Sequence, residues 1–208
     1  MTATFINSFI LFFVTIDTIG NLPFFLSLTE GAKIKKKNQI ALKSVIIAFF
    51  IMITFAYLGR YLLEAIHVSL DSLKIAGGVI LMFLAIDILF EKRKIRREKR
   101  VEEALDEKNF EEIIVFPIAF PFIAGPSALT TIILLIGNYA NFPEFQIPVI
   151  LALVAALTVS LVLMVGANFI IKYIPQQILH ATARVMAFIL AALATQFIID
   201  GIKASFNI

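Results

Sequence analysis

Long uninterrupted apolar runs dominate the chain, in place of the strict alternation of a half-buried strand or the one-sided stripe of a soluble helix. Six such runs stand out, at about 5–28, 41–63, 72–90, 113–136, 147–171 and 181–203. About 20 apolar residues cross the hydrocarbon of a bilayer as a helix, so the runs predict six transmembrane helices and leave almost nothing for a soluble domain. Turn-forming residues mark the joints: Thr29-Glu30-Gly31, His67-Val68-Ser69, Asn138 to Pro143 and Tyr173-Ile174-Pro175. The one long joint, 91–112, is dense in both charge signs, with Glu98 and Glu102 at helical spacing around Arg97 and Lys99, which predicts a charged cytoplasmic linker with helical character. It divides a single transmembrane domain, 1–208, into a first repeat over 1–90 and a second over 113–208.

Two of the runs fail near their middles, the first at Asp17 to Pro23 and the fourth at Phe120 to Pro126. An unpaired backbone group in hydrocarbon costs several kcal/mol, so unwound backbone at that depth survives only where protein, water or a ligand satisfies it. Aligning Gly20 with Gly125 puts the two breaks in register, each about 12 residues into its span, or about 18 Å. Repeats of three spans enter the membrane from opposite faces. The expected architecture is therefore an all-α membrane protein whose six helices form a 3+3 inverted-topology repeat, with helices 1 and 4 discontinuous at mid-membrane.

Each break has its own chemistry. Pro23 suits the first turn of a new half-helix beginning near Leu22 with Asn21 as N-cap, and Pro126 suits the first position of another, with Gly125 permitting a close approach and Ser127 offering a hydroxyl. Helix N-termini carry partial positive charge and free N–H groups, a receptor for a carboxylate; the preceding helix ends present carbonyls that suit an ammonium or a cation. Asp17 is the one acidic residue placed near the bilayer centre, where a charge is costly, and is a candidate ammonium partner, cation ligand or proton carrier. It is equally suited to capping the broken backbone. The candidate substrate-binding set is Asp17, Thr18, Gly20, Asn21, Ala124, Gly125, Ser127 and Gln196, with Asp17 also the coupling group. Thr130 and Thr131 are read as bonding back to their own helix. Small residues recur at Ala152, Ala156 and Ser160, at Ala183, Ala187, Ala191 and Thr195, and at Gly77-Gly78; such faces let helices pack closely and would leave a small cavity.

Composition narrows the class further. Of 208 residues 60% are hydrophobic, against roughly 45–50% in soluble domains, and the mean hydropathy is +0.95. The absence of cysteine removes disulfides, thiolate metal sites and a cysteine nucleophile. His67 and His180 fall at span ends and no zinc-protease or nucleophile-elbow motif is present, so neither an enzyme, a metal site nor a cofactor is expected. The net charge of +3 lies in loops, which argues against nucleic acid as a partner. Joints after spans one, three and five hold most of the Lys and Arg, including Lys33, Lys35, Lys36, Lys37 and Lys43, whereas the other side has Arg60, Lys74 and Lys203. Cytoplasmic loops carry that excess, which predicts a cell-membrane protein with both termini outside the cytoplasm.

At its motifs the chain resembles the MarC-type membrane proteins, which include small neutral amino acid transporters of the SnatA type. The resemblance covers essentially the whole length and rests on Asp17-Thr18-Ile19-Gly20-Asn21-Leu22-Pro23, on Ala76-Gly77-Gly78 with Ala85, on Pro117 through Ser127, and on Arg184-Val185-Met186 with Gln196-Phe197 and Gly201. The family usually has Pro at the place of Thr18 and Gly at that of Ala187. The resemblance implies a transporter of glycine, alanine and similar neutral amino acids driven by protons; the expected function is a secondary transporter of glycine, alanine and serine working by alternating access, and the sequence itself leaves the coupling ion open between proton and sodium. An exporter of another small polar solute, or a channel, is the competing expectation.

Overall fold

The computed structural model describes residues 1–65, 67–90, 110–167, 169 and 176–206. Among the described residues every regular element is a helix: α1 Thr2–Ile16, α2 Thr18–Leu28, α3 Ile34–Ala65, α4 Leu70–Leu89, α5 Ile114–Ile123, α6 Pro126–Asn138, α7 Pro143–Val165 and α8 Gln176–Phe206. Four stretches are long and apolar enough to cross a membrane singly: Thr2–Leu22, Ile34–Gly59, Pro143–Val165 and Ala187–Phe206. The pair α5 and α6, bent by 58°, makes a fifth if taken as one span. The chain is thus a multi-pass integral membrane protein. Its large apolar side chains also face outward, Phe50, Phe83, Phe188 and Ile147 among them, as a lipid-facing surface requires.

The helices outrun the apolar runs that predict them. α3 begins at Ile34, taking in Lys35, Lys36 and Lys37, and α8 begins at Gln176, because polar residues beyond the hydrocarbon continue a helix as readily as apolar ones. The expected linker lies outside the described residues except for its end, 110–112. There Glu111 accepts from Lys36 Nζ at 2.6 Å and Lys43 Nζ at 3.2 Å, joining the start of α3 to the approach to α5 on one face. The two ammonium groups hold the Glu111 carboxyl below the ordinary carboxylate range. A carboxyl depressed on folding stabilises the fold above its ordinary pKa and loses that contribution as pH falls through the depressed value. Glu111→Gln is accordingly expected to lower Tm slightly at neutral pH, with the difference from the native protein vanishing on acidification; pH-dependent melting curves of both proteins check it.

α1 runs along α7, α5 and α6 run along α3, and α4 runs along α8 for most of its length. The last pair meets backbone to backbone. A Cβ on Gly78 would lie 2.7 Å from Ala194 O, and one on Gly201 2.9 Å from Asp71 O. The expected small-residue row of α8 is shifted: Ala187, Leu190 and Ala194 are buried, while Thr195 is exposed and donates to Ala191 O. Side chains of Ala183 and His180 lie outside the described residues. On α7 the row holds, with Ala152, Ala156 and Ser160 all buried.

Candidate functional site

Among the described residues the buried polar side chains are hydroxyls and one amide, and most of them surround the two interruptions: Thr15, Thr18, Asn21, Ser127, Thr131 and Ser160. The first interruption is narrower than its sequence suggests. Asp17 alone leaves the helix, in the left-handed conformation (φ 50°, ψ 54°), and it serves both as C-cap of α1 and as N-cap of α2. Asp is among the few residues that tolerate this conformation. Its N–H donates to Phe13 O at 3.2 Å and its Oδ1 accepts from Gly20 N at 3.3 Å. The expectation of Asn21 as N-cap and a start near Leu22 is therefore corrected: α2 starts at Thr18, and Asn21 lies inside it. Asp and Asn cap almost equally well, but only the carboxylate of Asp17 stands where the chain turns.

The second interruption is wider. Pro117 and Pro121 push the residue before each into extended backbone, Phe116 at φ −124°, ψ 124° and Phe120 at φ −132°, ψ 127°, as the clash of a proline ring with its predecessor dictates. α5 is consequently a wide-turned helix interrupted twice, closing with Ala124 N donating to Ala119 O at 2.9 Å. Gly125 is then N-cap of α6 and Pro126 its first residue, as expected. No side chain caps this end among the described residues. A Cβ on Gly125 would stand 2.6 Å from the carbonyl oxygen of Pro121, so the chain passes here with no room for a side chain.

Two hydrogen bonds and one ring contact join the interruptions, and others brace the first break internally and against α7. Asn21 Nδ2 donates to Ile16 O at 2.9 Å and to Phe122 O at 3.0 Å, and Ser127 Oγ donates to Thr15 O at 3.3 Å. Thr18 is hydrogen-bonded to Ser160 of α7, and since Ser160 Oγ donates to Ala156 O at 2.9 Å, the Thr18 hydroxyl is the donor of that pair. Phe24 meets Phe122 edge to face, ring centroids 6.1 Å apart. Asn21 and Thr18 are each 1% exposed and Ser127 6%, so the junction is closed in this conformation. Thr130 and Thr131 bond back to Pro126 O and Ser127 O, as read from the sequence.

Of the candidate residues, Asn21 reaches the second break at Phe122 O and Ser127 reaches the first at Thr15 O, while Thr18 is bonded to α7, Asp17 to Gly20, and Ala124 and Gly125 lie at the second break itself. Gln196 takes another course: it is exposed and donates to Asp200 Oδ1 at 2.7 Å, within its own helix. Ser160 also belongs to the junction, through Thr18, although the sequence marks it only as a packing residue. The small-residue rhythm of α7 did mark Ser160 as inward-facing, but the partner of its hydroxyl lies 142 residues away and has no local signature.

Apolar helices around a buried junction of interrupted backbone define a polytopic integral membrane protein of the kind that keeps polar backbone in its interior. The chain belongs to the MarC family: residues 2–206 match that family of integral membrane proteins. It is 35% identical over 201 residues to a UPF0056 membrane protein of Archaeoglobus fulgidus, covering 95% of this chain and 92% of the relative. A UPF0056 membrane protein of Methanocaldococcus jannaschii is 30% identical, covering 98% and 88% of the two chains. In Bacillus subtilis the UPF0056 membrane protein YvbG is 27% identical, covering 100% and 98%. No solved structure matches the chain.

Proposed function

We propose that the protein is a secondary transporter of small neutral amino acids such as glycine, alanine and serine, working by alternating access in the cell membrane with both termini outside the cytoplasm. The observation that carries this reading is the double hydrogen bond of Asn21 Nδ2, to its own broken helix at Ile16 O and to the other break at Phe122 O, inside the protein. Irregular backbone held at such a place is the hallmark of a transporter's substrate site.

The six-span inverted repeat is supported by the helix pairings. Exchanging α1 and α2 with α5 and α6, α3 with α7, and α4 with α8 turns each of the main pairings into another of the same set, or into itself. α4 has 20 residues, about 30 Å of helix and enough for the remaining span. The Glu111 bridge to Lys36 and Lys43 fits a common cytoplasmic face for the first and third joints.

In this reading the carboxylate of the substrate sits at the N-terminus of α6, because the N-terminus of α2 already holds the carboxylate of Asp17. Asp17 is the coupling group. Protonation removes the negative charge beside the α2 N-terminus while leaving an acceptor for Gly20 N, so the attraction to the helix dipole is lost and the one-residue turn between α1 and α2 is held less firmly. The test is uptake of labelled glycine, alanine, serine and leucine into liposomes carrying the purified protein, with and without a pH gradient. Alanine and glycine uptake driven by the gradient is expected, with leucine carried at least tenfold less well. Asp17→Asn, which keeps a capping side chain, is expected to abolish the response to the gradient while retaining exchange. Equal leucine and alanine uptake would sink the small-cavity argument, gradient-driven uptake by Asp17→Asn the coupling role, and ion conductance without saturable uptake the carrier itself.

A further inference from the structure

The hydrogen-bond inventory of the junction goes further than the class of substrate and fixes which way round a zwitterion lies. Every side-chain hydroxyl and amide hydrogen bond donated there is already committed to a protein acceptor: Asn21 Nδ2 to Ile16 O and Phe122 O, Ser127 to Thr15 O, Thr18 to Ser160, Thr131 to Ser127 O. Among the described residues, two further polar features belong to the junction. One is the uncapped start of α6, where Ser127 and Ala128 present backbone N–H groups beyond a proline that has none. The other is Asn21 Oδ1, which is buried and has no donor among the described residues.

That oxygen is a different case from the second buried polar atom without a partner, Ser8 Oγ. A serine hydroxyl in a helix rotates to reach a carbonyl one turn back. The amide of Asn21 is pinned through its nitrogen to two carbonyls, which fixes the direction of the oxygen. Asn21 and Ser127 bond to the consecutive carbonyls Ile16 O and Thr15 O, so the orphan acceptor belongs to an amide held beside the start of α6. An unpaired buried acceptor is costly to desolvate, and a charged donor is its strongest complement.

We infer that the substrate ammonium is received by Asn21 Oδ1, with its carboxylate on the Ser127 and Ala128 N–H groups, and that Asp17 takes no direct part in holding the ammonium. This rests on the transporter reading and assigns the orientation of the substrate within it. Asp17 is given the capping role instead, since its Oδ1 accepts from Gly20 N and its left-handed conformation is that of the turn it closes.

The test is equilibrium binding to purified protein at one pH, comparing glycine with glycolate, which has a hydroxyl for the ammonium. The native protein is expected to prefer glycine at least tenfold, as a hydrogen bond to a charged group gives. Asn21→Ala is expected to bring that ratio to within about threefold of unity, and a general folding defect would weaken both ligands without changing the ratio. Where Asn21→Ala does not fold, Asn21→Asp serves: it keeps an oxygen and adds charge, so the ratio is expected to rise. Asp17→Asn is expected to retain the native ratio. Loss of the preference in Asp17→Asn with retention in Asn21→Ala overturns this assignment and leaves the transporter reading standing. Failure of the native protein to bind glycine at all overturns both.

Discussion

Asn21→Leu is expected to destabilise the protein by about 1–4 kcal/mol and to cut glycine uptake per folded molecule at least tenfold. The substitution removes the one amide that donates to both interruptions and strands Ile16 O and Phe122 O. A stranded group in a protein interior costs about 1–3 kcal/mol, whereas hydrogen bonds between membrane helices average about 0.6 kcal/mol because the unfolded chain in lipid finds other partners. Two bonds at the membrane average, about 1.2 kcal/mol, set the lower end, and one carbonyl fully stranded with the other at that average, about 3.6 kcal/mol, sets the upper. Uptake suffers more than stability because the amide also sets where the two helix ends stand, and a tenfold loss needs only about 1.4 kcal/mol of misplacement. Thermal unfolding in micelles and uptake normalised to folded protein separate the two effects. A variant that melts and transports as the native protein does would remove Asn21 from the junction.

Gly125→Val is expected to lower uptake about a hundredfold, the cost of displacing reacting or binding groups by about 1 Å. The conformation of Gly125, φ −76° and ψ 170°, is open to any residue, so the conflict is one of space alone. The Cβ would lie 2.6 Å from Pro121 O, and backbone cannot rotate aside as a side chain can. The 58° bend between α5 and α6 must change to admit it. Gly20→Ala provides the contrast. Its Cβ would meet the Asp17 carboxylate at 2.4 Å, a side chain that can move at the cost of its cap, about 0.5–2 kcal/mol. The expected order of damage is therefore Gly125→Val above Gly20→Ala, and the reverse order in the same uptake assay would mean that the Asp17 cap, and not the second break, controls the site.

Much of this was legible in the chain itself. Apolar runs gave the membrane class, and Asp17 and Pro126 marked where helices stop and restart, because few residues tolerate a left-handed turn and proline fits a helix only at its start. Thr130 and Thr131 returned to their own helix for the same local reason. What local reasoning could not supply was partnership. Thr18 and Asn21 read as residues of the break, but that Ser160 and Phe122 O are partners of their hydroxyl and amide N–H has no local signature, and Gln196 reads as inward until its exposure and its bond to Asp200 are known. The choice of Asp17 over Asn21 as cap turned on which of two nearly equivalent residues sits at the turn. The two extended phenylalanines of α5 were encoded locally, each preceding a proline, but a hydrophobic run hides them.

The two interrupted helices meet inside the protein, and the proposed transport depends on their meeting. Phe24→Cys with Phe122→Cys places thiols at the edge-to-face contact, in a chain with no other cysteine. Treated in membranes with a short bifunctional thiol reagent, this pair is expected to cross-link within one chain and to lose glycine uptake until reduced. Lys36→Cys with Glu111→Cys, at the surface bridge, serves as the positive control for the chemistry. Cross-linking of the surface pair without the inner one, or full uptake by the inner pair while cross-linked, would contradict the account.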